Sequence, residues 1–318
     1  MSRDTVLIIG AGLMGGGIAS RAALAGHKTV LYDIDPARAL AGKQNALGCI
    51  DELLANGLVE RDAAERGRTL IRTATDLKAA CESAQYVIEA IVENVAVKQE
   101  LFAELDEMLP PEVMILSNTS GLRITDIAAK MQRHPQRALT AHFWFPGHLV
   151  PLVEIVIGEK SDPALAQQAK QLLLGWDKAP VVVKRDLPGQ LANRILQAVI
   201  REAASIVEIG LCDPEDVDAA IKMGMGIRFP VWGPLEHVDS VGLELCRNVQ
   251  ATVLPDICAQ QAPSKLFEEK IAAGEMGAKT GKGFYDWSVK SMPELAERRN
   301  RFIIEALKFH KADKEGRL

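Results

Sequence analysis

A histidine and a glutamate lie twelve positions apart in a stretch that is otherwise almost entirely apolar. The stretch covers residues 140–156, T-A-H-F-W-F-P-G-H-L-V-P-L-V-E-I-V, and the two residues are His142 and Glu154. An unperturbed histidine titrates at about pH 6.5, which suits proton transfer near neutrality. A buried carboxylate behind the imidazole would fix its tautomer and stabilise its charged form. The pair therefore predicts a general base that takes the proton of a secondary alcohol as a hydride leaves the carbon.

The intervening sequence allows the two groups to meet. Pro146 and Pro151 bracket the connection between two strand-like runs, so the chain can fold back on itself. An unpaired Glu154 inside so apolar a strand would cost several kcal/mol. Two alternatives stay open, a structural histidine and a glutamate that faces solvent on an edge strand. His148 is a competing base, but its position inside the proline-bounded loop favours the surface.

A hydrophobic run near the N-terminus leads into G-x-G-x-x-G and then into an alanine-rich helix. The first glycine permits a tight turn, the second lets the backbone approach a pyrophosphate, and the third lets helix and strand pack closely. The start of the helix offers unpaired N–H groups and a positive dipole end to phosphates. We expect the cofactor to bind at Gly10, Gly12, Leu13, Met14 and Gly15.

Asp33 ends the second strand-like run, 23 positions beyond Gly10. A carboxylate at this place accepts hydrogen bonds from the ribose hydroxyls of NAD and repels the additional phosphate of NADP. A glycine-rich turn without a nucleotide is the alternative for the motif alone. Strand, helix and acid in this order favour a dinucleotide site, and we expect NAD.

These residues require a scaffold of alternating strands and helices. Strand-like runs at 5–9, 29–32, 86–89, 114–117, 139–142, 153–157 and 179–184 alternate with helical segments, which predicts a doubly wound (Rossmann), mostly parallel α/β sheet. Residues 36–72 interrupt the rhythm and predict an inserted helical hairpin. After Pro188 and Gly189 the pattern is helical. We expect an NAD-binding domain over residues 1–185 and an all-α substrate and dimerisation domain over residues 186–318.

Composition excludes several classes of protein. The net charge is -5, hydrophobic residues make up 48 %, and no basic stripe indicates nucleic acid as a partner. The apolar runs are too short to span a membrane, and no secretion signal precedes the first strand. Five cysteines without a C-x-x-C pair indicate a reduced, cytoplasmic protein with no metal site.

The chain resembles the 3-hydroxyacyl-CoA dehydrogenase family almost from end to end. Five blocks carry the resemblance: I-G-A-G-L-M-G-G-G-I-A near the start, V-I-E-A-I-V-E-N-V-A-V-K at 87–98, S-N-T-S at 117–120, H-F-W-F-P with L-V-E, and K-T-G-K-G-F-Y-D-W at 279–287. The resemblance implies an NAD-dependent dehydrogenase that oxidises the 3-hydroxyl group of a 3-hydroxyacyl substrate, as in fatty acid metabolism. It also implies a homodimer through the helical domain.

The resemblance implies roles for individual residues. His142 would be the base and Glu154 its partner, while Ser120 would bind the substrate oxygen and lie beside the cofactor. Asn193 would hold the substrate carbonyl from the second domain. The cofactor would also meet Glu93, Lys98 and Lys279. From the residues alone, Ser120 could merely cap a helix, Asn193 could be a polar residue on a long helix, and Glu93 and Lys98 could be ordinary charges.

The chain departs from the family at Phe145, where an asparagine is usual. Phenylalanine cannot donate the hydrogen bond of that amide, so either the substrate differs, with an apolar surface facing this position, or turnover is poor. The first alternative is favoured because the other expected catalytic residues are all present, namely His142, Glu154, Ser120 and Asn193. The family's coenzyme A hairpin is usually rich in lysine, yet no lysine occurs here between Lys43 and Lys78. Four arginines either substitute for these lysines or are merely solvated helix charges, namely Arg61, Arg66, Arg68 and Arg72.

The C-terminal tail is similar to that of relatives acting on free acids, the L-gulonate and carnitine dehydrogenases. Arg228 in G-M-G-I-R-F-P is also similar to that branch and could pair with a substrate carboxylate. A dehydrogenase of a small free hydroxy acid is therefore the main alternative. Two others are a non-catalytic, crystallin-like NAD-binding protein and a β-hydroxyacid dehydrogenase with a catalytic lysine such as Lys184.

Overall fold

The computed structural model of the protein describes residues 4–314, which form two units. The first unit comprises residues 4–192 together with 303–314, and the second comprises residues 193–302. The division expected from the sequence placed the whole C-terminal tail in the second domain. Residues 303–314 instead belong to the first unit, because Ile304 packs in a small apolar cluster with Leu53 and Leu149.

An eight-stranded sheet forms the centre of the first unit, in the order β3-β2-β1-β4-β5-β6-β7-β8. Neighbouring strands are parallel except for the antiparallel pair β6 and β7. The strands are β1 (Thr5–Ile9), β2 (Lys28–Tyr32), β3 (Ile71–Ala74), β4 (Ala84–Glu89), β5 (Met114–Ser117), β6 (Ala138–Phe143), β7 (Leu152–Val156) and β8 (Ala179–Val183). The predicted doubly wound sheet is confirmed.

Helices cover both faces of the sheet, as a mostly parallel sheet requires. One face packs on α1 (Leu13–Leu24), α2 (Pro36–Ala55), α3 (Arg61–Leu70) and α7 (Pro163–Leu174). The other packs on α4 (Leu77–Glu82), α5 (Val95–Met108) and α6 (Ile124–Ile127). The inserted hairpin is α2 with α3. Its predicted end at 72 overlaps β3, a short and partly exposed strand without a clear sequence signal.

The second unit is helical. It contains α9 (Pro214–Ala220), α10 (Pro234–Val241), α11 (Leu243–Val253) and α12 (Lys265–Ala272), most of α8 (Ala192–Glu208), and the first half of α13 (Met292–Lys314). Several large apolar side chains of this unit are more than two thirds exposed, among them Met223, Val231, Leu235 and Leu243. Within residues 4–314, no helix has both the length and the apolar character needed to cross a membrane.

Candidate active site

The glycine turn between β1 and α1 has the geometry of a phosphate-binding loop. Gly10 has a φ of 98°, and a Cβ on this residue would lie 2.5 Å from the carbonyl oxygen of Ala90. A Cβ on Gly15 would lie 1.9 Å from the carbonyl oxygen of Gly10, so helix and turn meet too closely for any side chain. At Gly12, by contrast, a Cβ would meet no described atom within 4 Å. The backbone at Gly12 is therefore open to a ligand.

Asp33 joins this turn at the end of β2. Its Oδ2 accepts a hydrogen bond from Ala11 N at 3.0 Å, and its Oδ1 accepts one from Asp35 N at 3.2 Å. These bonds fix a largely buried carboxylate beside the glycine turn. The turn and the acid together fit the pyrophosphate and ribose of a dinucleotide.

A polar network lies at the ends of β4 and β5. The Nζ of Lys98 contacts Glu89 Oε1 at 2.5 Å and Glu93 Oε2 at 3.4 Å. Ser117 Oγ donates to Glu89 Oε2 at 2.6 Å, so the fully buried Glu89 is satisfied on both oxygens.

Glu93 connects this network to the S-N-T-S segment. Its Oε1 accepts hydrogen bonds from Thr119 Oγ1 at 2.6 Å, Ser120 N at 2.9 Å and Gly121 N at 3.0 Å. Burial raises the pKa of Glu93, but these hydrogen bonds and the charge of Lys98 outweigh it and lower the pKa overall. Glu93 is thus an anchored carboxylate next to Ser120, and Ser120 is exposed.

His142 and Glu154 are directly opposite each other on the antiparallel strands β6 and β7. The distance from His142 Nδ1 to Glu154 Oε2 is 2.7 Å. Both residues are buried, Glu154 completely. The alternative in which Glu154 faces solvent is therefore excluded.

Glu154 accepts three further hydrogen bonds. Trp144 Nε1 donates to Oε2 at 2.9 Å, while the backbone N–H groups of Leu191 and Ala192 donate to Oε1 at 2.9 and 2.8 Å. Burial alone would raise the pKa of Glu154, yet the donors, with His142 and Trp144 foremost, lower it to about 2. The carboxylate is thus an anion near neutral pH, and it is held on both oxygens.

Two side chains outside the loop from 144 to 151, Lys178 and Glu52, anchor it through hydrogen bonds. Lys178 Nζ donates to the carbonyl oxygens of Gly147 at 2.6 Å and Val150 at 2.8 Å. His148 Nε2 lies 2.7 Å from Glu52 Oε2 on α2, and His148 is only 9 % exposed. The expected surface position of His148 is wrong, because its imidazole is buried in a contact between the loop and Glu52 of α2. Phe145 is 51 % exposed.

The remaining predicted residues belong to the second unit. Asn193 lies on α8 and is partly buried. Arg228 is exposed and donates from Nε to the carbonyl oxygen of Gly224 at 3.2 Å. Lys279 is an exposed residue of a short helical turn, Ala278–Thr280, in the K-T-G-K-G segment.

Three residues of the site were not predicted from the sequence: Glu89, Trp144 and Gln190. Gln190 Nε2 donates to the carbonyl oxygen of Thr119 at 2.9 Å, which holds the turn that delivers the two backbone donors to Glu154. A signal existed for Trp144, because it stands two residues after His142 and residues i and i+2 of an extended chain share a face. The contact between Gln190 and Thr119 spans 71 positions and left no local pattern. Glu89, a charged residue at the end of an apolar run and nine positions before Lys98, did carry a local signal.

A glycine turn with an acid at the end of β2 and a buried histidine–carboxylate pair on one Rossmann-type sheet are typical of a dinucleotide-dependent dehydrogenase. Comparison with known proteins agrees. The model of the 3-hydroxyacyl-CoA dehydrogenase NAD binding domain matches residues 5–187, and that of the C-terminal domain matches residues 189–287. The chain belongs to the 3-hydroxyacyl-CoA dehydrogenase family. It is an NAD-dependent oxidoreductase that acts on a CH–OH group.

Relatives with different substrates have similar identities. The 5-formyl-3-hydroxy-2-methylpyridine 4-carboxylate 5-dehydrogenase of Mesorhizobium japonicum is 32 % identical over 94 % of this chain and 96 % of its own. The probable 3-hydroxybutyryl-CoA dehydrogenase of Bacillus subtilis is 36 % identical over 92 % of this chain and 100 % of its own.

Solved structures of both kinds match the fold. The crystal structure of a 5-formyl-3-hydroxy-2-methylpyridine 4-carboxylic acid 5-dehydrogenase has a TM-score of 0.89 and 30 % identity, covering 99 % of this chain and 100 % of that one. A 3-hydroxybutyryl-CoA dehydrogenase from Escherichia coli has a TM-score of 0.75 and 33 % identity, covering 91 % of this chain and 61 % of that one.

Proposed function

We propose that the protein oxidises the 3-hydroxyl group of a 3-hydroxyacyl substrate to a 3-keto group, with His142 as the general base. The observation that carries this proposal is the 2.7 Å contact between His142 Nδ1 and an anionic, fully buried Glu154. A carboxylate only accepts hydrogen bonds, so Nδ1 carries a proton and Nε2 remains to accept one. Nε2 would take the hydroxyl proton, and Glu154 would stabilise the imidazolium that forms.

NAD, when bound, accepts the hydride from the carbinol carbon. The residues proposed to hold it are the glycine turn and Asp33, together with Glu93, Lys98, Ser120 and Lys279. Ser120 and Asn193 are proposed to orient the substrate oxygen. Support for Ser120 comes from its backbone bond to Glu93, which fixes it beside an anchored network.

A second candidate is a small hydroxy acid without coenzyme A. In its favour, Ile304 near the middle of α13 packs against Leu53 of α2, on the hairpin that would otherwise handle coenzyme A. One of the hairpin arginines, Arg68, is already engaged with Asp51 of α2 at 2.6 Å. The relative from Mesorhizobium japonicum, named for a pyridine carboxylate, matches nearly the whole chain. On this proposal Arg228 pairs with the substrate carboxylate, and the half-exposed Phe145 offers the substrate an apolar surface.

The two candidates separate in one assay. NADH oxidation is followed at 340 nm with acetoacetyl-CoA and, at matched concentrations, with free 3-keto acids and aromatic aldehyde acids. Turnover of the thioester supports the first candidate, and turnover of free acids alone supports the second. Arg228→Met should raise KM for free acids and leave KM for the thioester unchanged. Binding of NADH without turnover of any compound would contradict both and favour the crystallin-like alternative.

We also propose that the protein is a cytoplasmic homodimer. Many large apolar residues of the second unit are exposed, such as Val231, Leu235 and Leu243. Their number exceeds the few scattered apolar residues that are normal on the surface of a monomer. Sedimentation equilibrium of the full chain tests this, with a monomer at micromolar concentration as the contradicting result.

A further inference from the structure

Trp144 stands at a point where it can control the proposed base. It follows the last residue of β6, and its ring centroid lies 5.7 Å from that of His142 at an interplanar angle of 50°. The residue is partly buried, and its Nε1 is 2.9 Å from Glu154 Oε2. His142 Nδ1 is 2.7 Å from the same oxygen atom. The indole and the imidazole therefore share one carboxylate oxygen.

The hydrogen bonds of Glu154 divide evenly between its two oxygens. Oε1 accepts the backbone N–H groups of Leu191 and Ala192, and Oε2 accepts Trp144 and His142. A carboxylate has about four lone-pair sites, so this arrangement fills them. Rotation of the carboxylate would break bonds on both oxygens. The plane of the carboxylate, and with it the orientation of the His142 ring, is set by its neighbours.

We propose that Trp144 is a positioning residue, which holds Oε2 of Glu154 in line with His142 Nδ1 and limits how strongly that oxygen attracts the imidazolium. The proposal rests on the proposed function of His142 and Glu154. An indole N–H is a neutral donor, so it draws electron density from Oε2 without adding charge. The alternative at this site, an aromatic ring without a donor, would leave Oε2 entirely to His142.

The sign of the effect follows from charge. Without the indole donor, Oε2 is less neutralised and stabilises the protonated imidazole more, so His142 becomes protonated at a higher pH. Glu89, Glu93, Lys98, His148 and Lys178 bond to partners other than His142, Glu154 and Trp144. Trp144→Phe leaves all of them in place.

The first test measures titration rather than turnover. In protein labelled with 15N-histidine, the titration midpoint of the His142 ring, assigned with His142→Asn, should be higher in Trp144→Phe than in wild type. Trp176→Phe is the matched control, because the buried Nε1 of Trp176 has no hydrogen-bond partner within the described residues. It should leave the midpoint unchanged. An unchanged midpoint in folded Trp144→Phe overturns the proposal.

Kinetics separate positioning from a merely structural role. Trp144→Phe should lower kcat about tenfold, leave the affinity for NADH unchanged, and move the acid limb of the pH profile to higher pH. In the background of Glu154→Gln the same substitution should cost less than about twofold, because the residue acts through that carboxylate. An equal loss in both backgrounds would mean that the ring merely fills space.

Two further outcomes have readouts of their own: a Trp144→Phe variant that does not fold, and a His142→Asn variant that stays active. Should Trp144→Phe fail to fold, the four indole N–H resonances of the wild-type protein are assigned by elimination with the other three tryptophans. The Trp144 resonance should move in the pH range in which His142 titrates, and a stationary resonance overturns the proposal. Full activity of His142→Asn would refute the proposed function. The titration of His142 in Trp144→Phe would still show whether Trp144 acts on His142 through Glu154.

Discussion

The first unit contains two histidine–glutamate pairs of the same length, only six residues apart at the histidine. His142 and Glu154 are 2.7 Å apart, and so are His148 and Glu52. In the first pair the ring uses Nδ1 and the carboxylate is fully buried with several donors. In the second the ring uses Nε2 and the Glu52 side chain is 34 % exposed. A short contact between imidazole and carboxylate is thus common to both, and what surrounds the carboxylate distinguishes a proposed base from a structural pair.

The surroundings favour the charged form of Glu154 in the first pair and the neutral form of His148 in the second. Hydrogen bonds hold the pKa of Glu154 at about 2 in spite of burial, which keeps an anion behind His142. Burial lowers the pKa of His148, and Lys178 and Arg21 act in the same direction, which outweighs the hydrogen bond that the ring donates to Glu52. His148 therefore tends to stay neutral, and its bond to Glu52 joins the loop to the hairpin.

The largest expected effect is the loss of one imidazole and not the other. His142→Ala should lower kcat by about 10³-fold, within the range that general acid–base groups contribute, with NADH affinity within about twofold of wild type. His148→Ala should change kcat by less than about threefold. Stopped-flow NADH oxidation and fluorescence titration measure the two quantities. Comparable losses in both variants would remove the distinction between the pairs.

A smaller loss is expected when the carboxylates are neutralised. Glu154→Gln keeps the shape but cannot stabilise an imidazolium, so kcat should fall about 10²-fold. Glu52→Gln should leave kcat within about twofold, since its contact is remote from the proposed chemistry.

Lys184→Ala is expected to be as active as wild type. Lys184 directly follows β8, and β8 runs antiparallel to β6. Lys184 therefore lies beyond the strand ends opposite to those near His142, at which β6 ends.

The pH dependence of stability should report the anchored state of Glu154. The pKa of Glu154 is lower in the folded protein than its ordinary value of 4.5, so its contribution is present above pH 4.5 and lost as the pH falls toward about 2. The stability difference between wild type and Glu154→Gln should therefore shrink over this range. Urea unfolding at several pH values measures it. A difference that stays constant down to pH 2 would contradict the assignment.

The smallest effect is expected at His148. Because its pKa is lowered on folding, the unfolded chain binds its proton more readily, and stability falls as the pH drops below about 6.5. His148→Asn should lose part of this acid sensitivity between about pH 6.5 and 5. Thermal unfolding at matched ionic strength would detect it, and an unchanged slope would show that the imidazole is not buried as described.

The comparison also indicates what the sequence could predict. His142 and Glu154 were identifiable because a polar residue in an apolar strand needs a partner, and the two strands are neighbours along the chain. The glycine turn and Asp33 are likewise local to one βαβ unit. The fold was predicted in outline for the same reason, with β3 as the missed strand.

Long-range contacts account for what was missed. Glu52 and His148 are 96 positions apart, so nothing in the loop indicated that His148 is buried. The return of residues 303–314 to the first unit depends on Ile304 meeting Leu53 and Leu149, three residues in separate elements. The backbone donors at Leu191 and Ala192 reach Glu154 because Gln190 anchors the turn to Thr119. No periodic pattern records such contacts.

The tautomers of the two histidines test the central claim most directly. The 15N chemical shifts of both rings are measured in the folded protein above their titration ranges, with His142→Asn and His148→Asn for assignment. His142 should carry its proton on Nδ1 and leave Nε2 unprotonated, whereas His148 should carry its proton on Nε2. A proton on Nε2 of His142 would contradict the account, because the nitrogen proposed to accept the substrate proton would already hold one.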